Sequence, residues 1–154
     1  MRLMKLALVV TLAAAAYGVQ AQADPTIGTW KLNLAKSKYN AGQAPKSSTV
    51  VIAAAGQGIK LTSDTVLADG TARKISYTAS YDGKDAVVTG TPDYDGMSLK
   101  KTANGVEGSR KKAGKVVQTY TRVISADGKT MTVTSTGTTA AGGKVDNVQV
   151  YDKQ

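Results

Sequence analysis

Residues 115–137, KVVQTYTRVISADGKTMTVTSTG, read as two β-strands joined by a tight turn. In the first half Val116, Gln118, Tyr120, Arg122 and Ile124 fall on every second position, interleaved with smaller residues such as Thr119 and Thr121. That period of two gives a pleated strand one face of large side chains. Asp127-Gly128 then supplies the positive φ that a two-residue hairpin turn needs, and a second Thr- and Val-bearing strand follows.

Working outward, the same grammar covers the rest of the chain. Turn signals recur at Gly56-Gln57-Gly58, Asp69-Gly70, Asp82-Gly83, Asp95-Gly96, Asn104-Gly105, Ala113-Gly114 and Gly142-Gly143. Between them lie segments rich in Val, Ile, Thr and Tyr, predicted as strands over 28–34, 47–54, 59–67, 71–81, 85–89, 97–103, 106–112, 115–125, 130–137 and 144–152. Arg73, Ile75, Tyr77, Ala79 and Tyr81 repeat the alternation. No segment after the N-terminal run holds an apolar period of 3.6, and the one candidate for a helical turn, 35–47, contains Gly42 and Pro45. Ten short strands in sequence leave two sheet edges to hide, and pairing the first strand with the last hides both. The expected fold is all-β: an antiparallel up-and-down meander of 8–10 strands closed into a barrel, with an open sandwich as the alternative.

The first 23 residues read differently. Arg2 and Lys5 bracket a cationic start, an apolar run covers 6–16, and Ala21-Gln22-Ala23 forms a small-residue cleavage site. This is the layout of a bacterial secretory signal peptide, and cleavage there leaves a single domain, 24–154. A membrane-spanning helix needs about 20 apolar residues, more than this run offers. A lipoprotein anchor needs a cysteine and the chain has none, so the protein is expected to be periplasmic or secreted and not membrane-spanning. An outer-membrane barrel is disfavoured: with no Phe, one Trp and seven Tyr there is too little for two aromatic girdles.

Zero Cys removes disulfides and thiol chemistry, and zero His removes the commonest general base and transition-metal ligand. No catalytic centre, metal or other cofactor is expected, and an enzyme is the least favoured reading. The formal net charge is +9, of which Arg2 and Lys5 supply two. Such a charge favours encounter with anionic surfaces without specifying a fold.

Two stretches resemble the calycin group of barrels, the lipocalin and fatty-acid-binding proteins. Ile27-Gly28-Thr29-Trp30-Lys31-Leu32 is similar to that group's G-x-W entry strand, and the resemblance implies that Trp30 plugs one barrel end with an arginine, taken as Arg122, stacked on it. The terminal Gln149-Val150-Tyr151-Asp152-Lys153-Gln154 is similar to the group's last strand, where an Arg-x-Tyr pair holds a ligand carboxylate. Here Gln149 stands in the arginine's place, so the resemblance implies Tyr151 as a ligand hydroxyl without the charged clamp. The interval 35–46 is too short for the helix-turn-helix lid of fatty-acid-binding proteins. The chain as a whole resembles exported bacterial proteins of unassigned function that open with a G-T-W-K strand.

Two functional readings follow. In the first, a lipocalin-like binding protein buries a small apolar or neutral ligand inside the barrel, with Tyr77, Tyr120, Gln149 and Tyr151 lining the pocket. In the second, an envelope interaction protein uses the basic hairpin 100–115, with Lys100, Lys101, Arg110, Lys111, Lys112 and Lys115, to meet anionic polymers such as lipopolysaccharide. The hairpin offers no aromatic residue for base stacking, so no specific nucleic acid is expected. Asp82, Asp85, Asp93 and Asp95 read as turn residues, because the surrounding carboxylates of a calcium loop are missing.

Overall fold

The alternation in 115–124 becomes a strand whose Gln118, Tyr120, Arg122 and Ile124 are buried while Thr119, Thr121 and Val123 face solvent. A computed structural model describes residues 23–40 and 42–154; the expected signal peptide, 1–23, lies outside the described residues except for Ala23. Ten strands follow in order: β1 Gly28–Leu32, β2 Ser47–Ala55, β3 Gly58–Val66, β4 Ala72–Ser80, β5 Ala86–Thr89, β6 Gly96–Thr102, β7 Gly105–Lys112, β8 Lys115–Ile124, β9 Thr130–Thr138 and β10 Lys144–Lys153. Every neighbouring pair is antiparallel. The sheet closes where Trp30 of β1 pairs with Lys153 of β10 and Leu32 with Tyr151. The expected meander barrel is therefore the observed one, and the open sandwich is not. No helix among the described residues is long and apolar enough to cross a membrane.

Connections alternate between two ends. At one end lie the N-terminal segment from Asp24, the 81–85 loop, the 103–104 and 125–129 turns and the C-terminus. This end is filled: Trp30, Ile52, Ile59, Leu99 and Val106 are almost wholly excluded from solvent and form one cluster with Ala79 and Ile124. Each such side chain contributes roughly 1.5–3 kcal/mol by leaving water. At the other end lie the long 33–46 segment and the 67–71, 90–95, 113–114 and 139–143 connections. There the inward positions turn polar, and the interior stays hollow.

Local chemistry explains the irregular places. β1 stops at Leu32, two residues short of its expected end, because the Asn33 side chain caps a single 3₁₀ turn, Leu34–Lys36, accepting the Lys36 N–H at 3.2 Å. β5 is short because Gly90 adopts a positive φ against β4, where a Cβ would lie 1.7 Å from the Lys74 carbonyl oxygen. Beyond β5, the isolated bridge Asp82↔Lys100 and the Gly83 N–H donated to the Leu99 carbonyl at 2.9 Å seal the seam at the filled end. A register shift after Arg110 sets Arg110 opposite Gln118 and Lys111 opposite Val116. This bulge reverses the facing of the strand start. Val116, which the alternation groups with the buried series, is 55% exposed as a result.

Candidate ligand cavity

Within the hollow half lies a cavity of about 490 Å³, inside the range that encloses drug-sized ligands. Its wall includes Val50, Leu61, Ile75, Met97, Met131 and Val133, all inward-facing strand positions. Among these apolar side chains stand Arg73, Arg110 and Arg122, every arginine of the chain apart from Arg2, while no lysine lines the cavity.

Arg122 is the deepest. It is 4% exposed, and its Nη2 donates to the Tyr77 hydroxyl at 2.9 Å. Burial acts to lower its pKa, but the Tyr77 and Tyr120 oxygens bring it above its ordinary value, so the guanidinium stays charged. Its Nε and Nη1 nevertheless have no partner. Arg110 lies nearer the mouth. Its Nη1 donates to Gln118 Oε1 at 2.8 Å and Ser135 Oγ at 3.2 Å, and the guanidinium sits between the Tyr120 and Tyr94 rings, 4.7 and 5.0 Å from their centroids. Its Nε is likewise buried without a partner, as is the Tyr120 hydroxyl, whose pKa burial and the adjacent Tyr77 push well above the ordinary value. Among the described residues these three side chains hold all the buried side-chain polar atoms that lack a partner. Neither Arg110 nor Arg122 forms an ion pair with a described carboxylate; Arg73 at the rim does, 3.6 Å from Asp93.

A buried guanidinium without a counter-ion costs several kcal/mol. An anion in the cavity lies between walls that carry both Arg122 and Arg110, and its charge offsets part of that cost. Burial also raises the Tyr151 pKa to about 12, with the Tyr39 hydroxyl as the next contribution. The phenol is neutral at physiological pH and does not offset the arginines.

The expected site residues fall into three groups. Tyr77, Gln149 and Tyr151 line the cavity. Gln149 is engaged, its Nε2 donating to the Tyr39 hydroxyl at 3.1 Å. That bond, with Asn40 N–H on Asn147 Oδ1 at 3.0 Å and Gln43 Nε2 on the Lys144 carbonyl at 2.9 Å, ties Tyr39, Asn40 and Gln43 to β10 at the mouth. Tyr120 stands behind the wall, its ring packed where Gly108 has no side chain: a Cβ there would lie 2.9 Å from a ring carbon.

The Trp30 end needs a correction. Trp30 is fully buried, as a plug should be, and its Nε1 donates to the Thr26 carbonyl at 2.9 Å. The cation over its ring is Lys153, its cross-strand partner, at 5.1 Å, and Arg122 does not stack on it. Arg122 turns into the cavity instead, where the Tyr77 hydroxyl offers an acceptor that an indole ring lacks.

The basic hairpin does not form one patch. Lys100 and Lys101 lie toward the filled end, Lys111, Lys112 and Lys115 toward the mouth, because β6 and β7 run the length of the barrel at about 3.3 Å per residue. Arg110 leaves the surface for the cavity. Lys101 meets Asp24 at 3.8 Å, Lys111 meets Asp85 at 2.7 Å and Lys112 meets Asp95 at 3.7 Å. Only Lys100 and Lys115 of the six are exposed without an ion pair among the described residues.

Sequence reasoning missed Arg73, Arg110, Gln118 and Ser135 as cavity residues. The signal for two of them was present: Gln118 shares the alternation that carries Tyr120 inward and Arg73 the one that carries Tyr77 inward, and a polar residue in an inward series is a cavity signal. Arg110 shares the inward face of β7 with Val106 and Gly108, but as one of a run of basic residues it was read as part of a surface hairpin.

No known family model matches the sequence, and no curated protein is similar to it. Among solved structures, the chain is similar to zebrafish ileal bile acid-binding protein complexed with cholic acid, with a TM-score of 0.50 and 13% identity over 84% of this chain and 99% of that one. At that identity the likeness is one of fold alone, a closed antiparallel β-barrel.

Proposed function

We propose that the protein is an exported, non-enzymatic carrier that encloses one small amphipathic anion within the barrel, in the periplasm or outside the cell. The observation that carries this reading is Arg122, buried and charged in the wall of a cavity of about 490 Å³, with two donors that have no partner in the protein. The same observation replaces the neutral or apolar ligand expected from Gln149: the charge missing from β10 stands on β7 and β8 instead. The apolar wall takes the ligand's body and the arginines its head, with no bond made or broken. The architectural neighbour is complexed with cholic acid, also an acid. Export rests on the signal-like residues 1–23.

Displacement of 1-anilinonaphthalene-8-sulfonate by palmitate and by hexadecanol tests the reading. The acid is expected to bind at least tenfold more tightly than the alcohol, and Arg122→Gln to narrow that gap. No saturable uptake by folded protein removes the carrier; equal affinity for acid and alcohol removes the anion. Mass spectrometry of protein recovered from the exported fraction should give a chain beginning at Asp24.

A further inference from the structure

Opposite the arginines the cavity wall carries a second polar group. Ser48 of β2 and Ser63 and Thr65 of β3 all line the cavity. Their hydroxyl oxygens form a closed triangle: Ser48 to Thr65 at 2.8 Å, Ser63 to Thr65 at 3.2 Å and Ser48 to Ser63 at 3.5 Å. In a ten-strand ring β2 and β3 stand five places from β7 and β8 in either direction, so the triangle and the Arg110–Arg122 wall face each other across the lumen. The triangle is also nearer the mouth, since Ser48 pairs with Thr65, and Thr65 with the rim residue Arg73. Deeper in the same two strands the inward residues are apolar, Ile52, Ile59 and Leu61, so the hydroxyls occur only where these strands border empty space.

A hydroxyl has one proton to give and two lone pairs. With the three protons directed round the triangle each oxygen keeps one lone pair, and Ser48 also lies within hydrogen-bonding reach of the Tyr151 hydroxyl. The group is therefore internally satisfied as a donor and open as an acceptor, and it faces the cavity. A plain hydrocarbon chain laid against it leaves those lone pairs desolvated without gain.

We propose that the triangle is a specificity element and that the ligand is a hydroxylated anion: a molecule with its charged group held deep by Arg122 and Arg110, and an O–H or N–H donor on the far side of its body received by Ser48, Ser63 and Thr65. The proposal rests on the carrier reading above and adds to it which anions are preferred.

Stearate and 12-hydroxystearate, each displacing 1-anilinonaphthalene-8-sulfonate from the full mature chain, separate the two. One net hydrogen bond favours the hydroxylated acid by roughly three- to tenfold. In the variant Ser48→Ala, Ser63→Ala, Thr65→Val, checked for folding by circular dichroism, that ratio should fall to about one; Thr65→Val alone should lower it partway and guards against a misfolded triple variant. Equal affinity of the wild-type protein for both acids overturns the proposal and leaves the carrier standing. So does a preference that survives in the folded variants. If neither acid displaces the probe, the carrier reading itself has failed and the specificity element with it.

Discussion

The two ends of this barrel are built from the same strands and solve opposite problems. At the filled end every buried side-chain polar atom among the described residues has a partner. Trp30 Nε1 meets the Thr26 carbonyl, and the Tyr81 hydroxyl donates to Asp24 at 2.5 Å. The Thr26 N–H and hydroxyl also donate to Asp24, at 2.9 and 2.7 Å. In the hollow half, four buried polar atoms on Arg110, Tyr120 and Arg122 have none. One half stabilises the fold; the other is left in debt to whatever enters it. Separating stability from binding along the barrel axis means that substitutions at the two ends should fail in different ways.

The largest effect should come from the filled end. Trp30→Ala removes the largest fully buried side chain and leaves a void bounded by strands that cannot collapse into it. A loss of about 3–5 kcal/mol in urea unfolding is expected. In whatever fraction remains folded, affinity for palmitate should be near that of the wild-type protein. An equally large loss of affinity there would mean that the two halves are not independent.

Arg122→Leu tests the hollow half, and its sign is the informative part. Replacing a buried, unpaired charge with an apolar side chain of similar reach is neutral or stabilising. The ligand-free variant should unfold at the same urea concentration or higher, gaining about 1 kcal/mol against the lost bond to Tyr77. Palmitate, which should raise the wild-type protein's melting temperature, should no longer do so. A destabilised ligand-free variant would show that Arg122 is a structural residue and that its orphan donors carry no functional meaning.

A smaller effect belongs to Asp24. Burial raises its pKa, but hydrogen bonds from Tyr81 and Thr26, with Lys101 nearby, together bring it below the ordinary carboxylate value of 3.8. A depressed folded-state pKa contributes stability above the unfolded value, and that contribution is lost as pH falls through the folded one. The Asp24 side chain is only 16% exposed, and Asp24→Asn, which loses the charge that strengthens its hydrogen bonds, should cost about 0.5–1 kcal/mol at neutral pH. The difference between variant and wild type should vanish in urea titrations carried below the folded-state value, where both side chains are neutral. A difference that persists there would assign the effect to packing of the N-terminal segment.

How much of this was legible depended on which physical signal carried it. Barrel closure was readable because turn residues and β-branched segments are local and the need to hide sheet edges is general. The Trp30 plug was readable because one large apolar residue on an entry strand has few other uses. Arg122 was placed on the right strand and given the wrong neighbour: sequence period fixes the face a side chain points to, but not the height at which its polar atoms find an acceptor. Gln149 illustrates the same limit. It occupies a cavity position, yet its amide is committed to Tyr39, a residue from the 33–46 segment whose path no periodicity describes. The arginines at 73 and 110 were lost among sixteen lysines, although none of those lysines lines the cavity. Counting the basic residues as one class hid the fact that they serve two regions.

The smallest expected effect falls where the pattern itself misleads. Val116 and Ile124 open and close the same alternating series, and by period alone both belong inside. The bulge between Arg110 and Lys111 turns the mouth end of β8 over, so that Val116 is 55% exposed while Ile124 is 4% exposed in the filled end. Val116→Thr should therefore change stability by no more than about 0.5 kcal/mol, the range of an ordinary surface substitution. If the cost instead reached the 1–3 kcal/mol of a hydroxyl buried without a partner, Val116 would be facing inward. The bulge would then be absent in solution, and the strand would run in plain register past Arg110. In that register Arg110 would still face the lumen opposite Gln118, but Lys112 would come opposite Val116 and turn inward, adding at the mouth a cation that the bulge keeps on the surface.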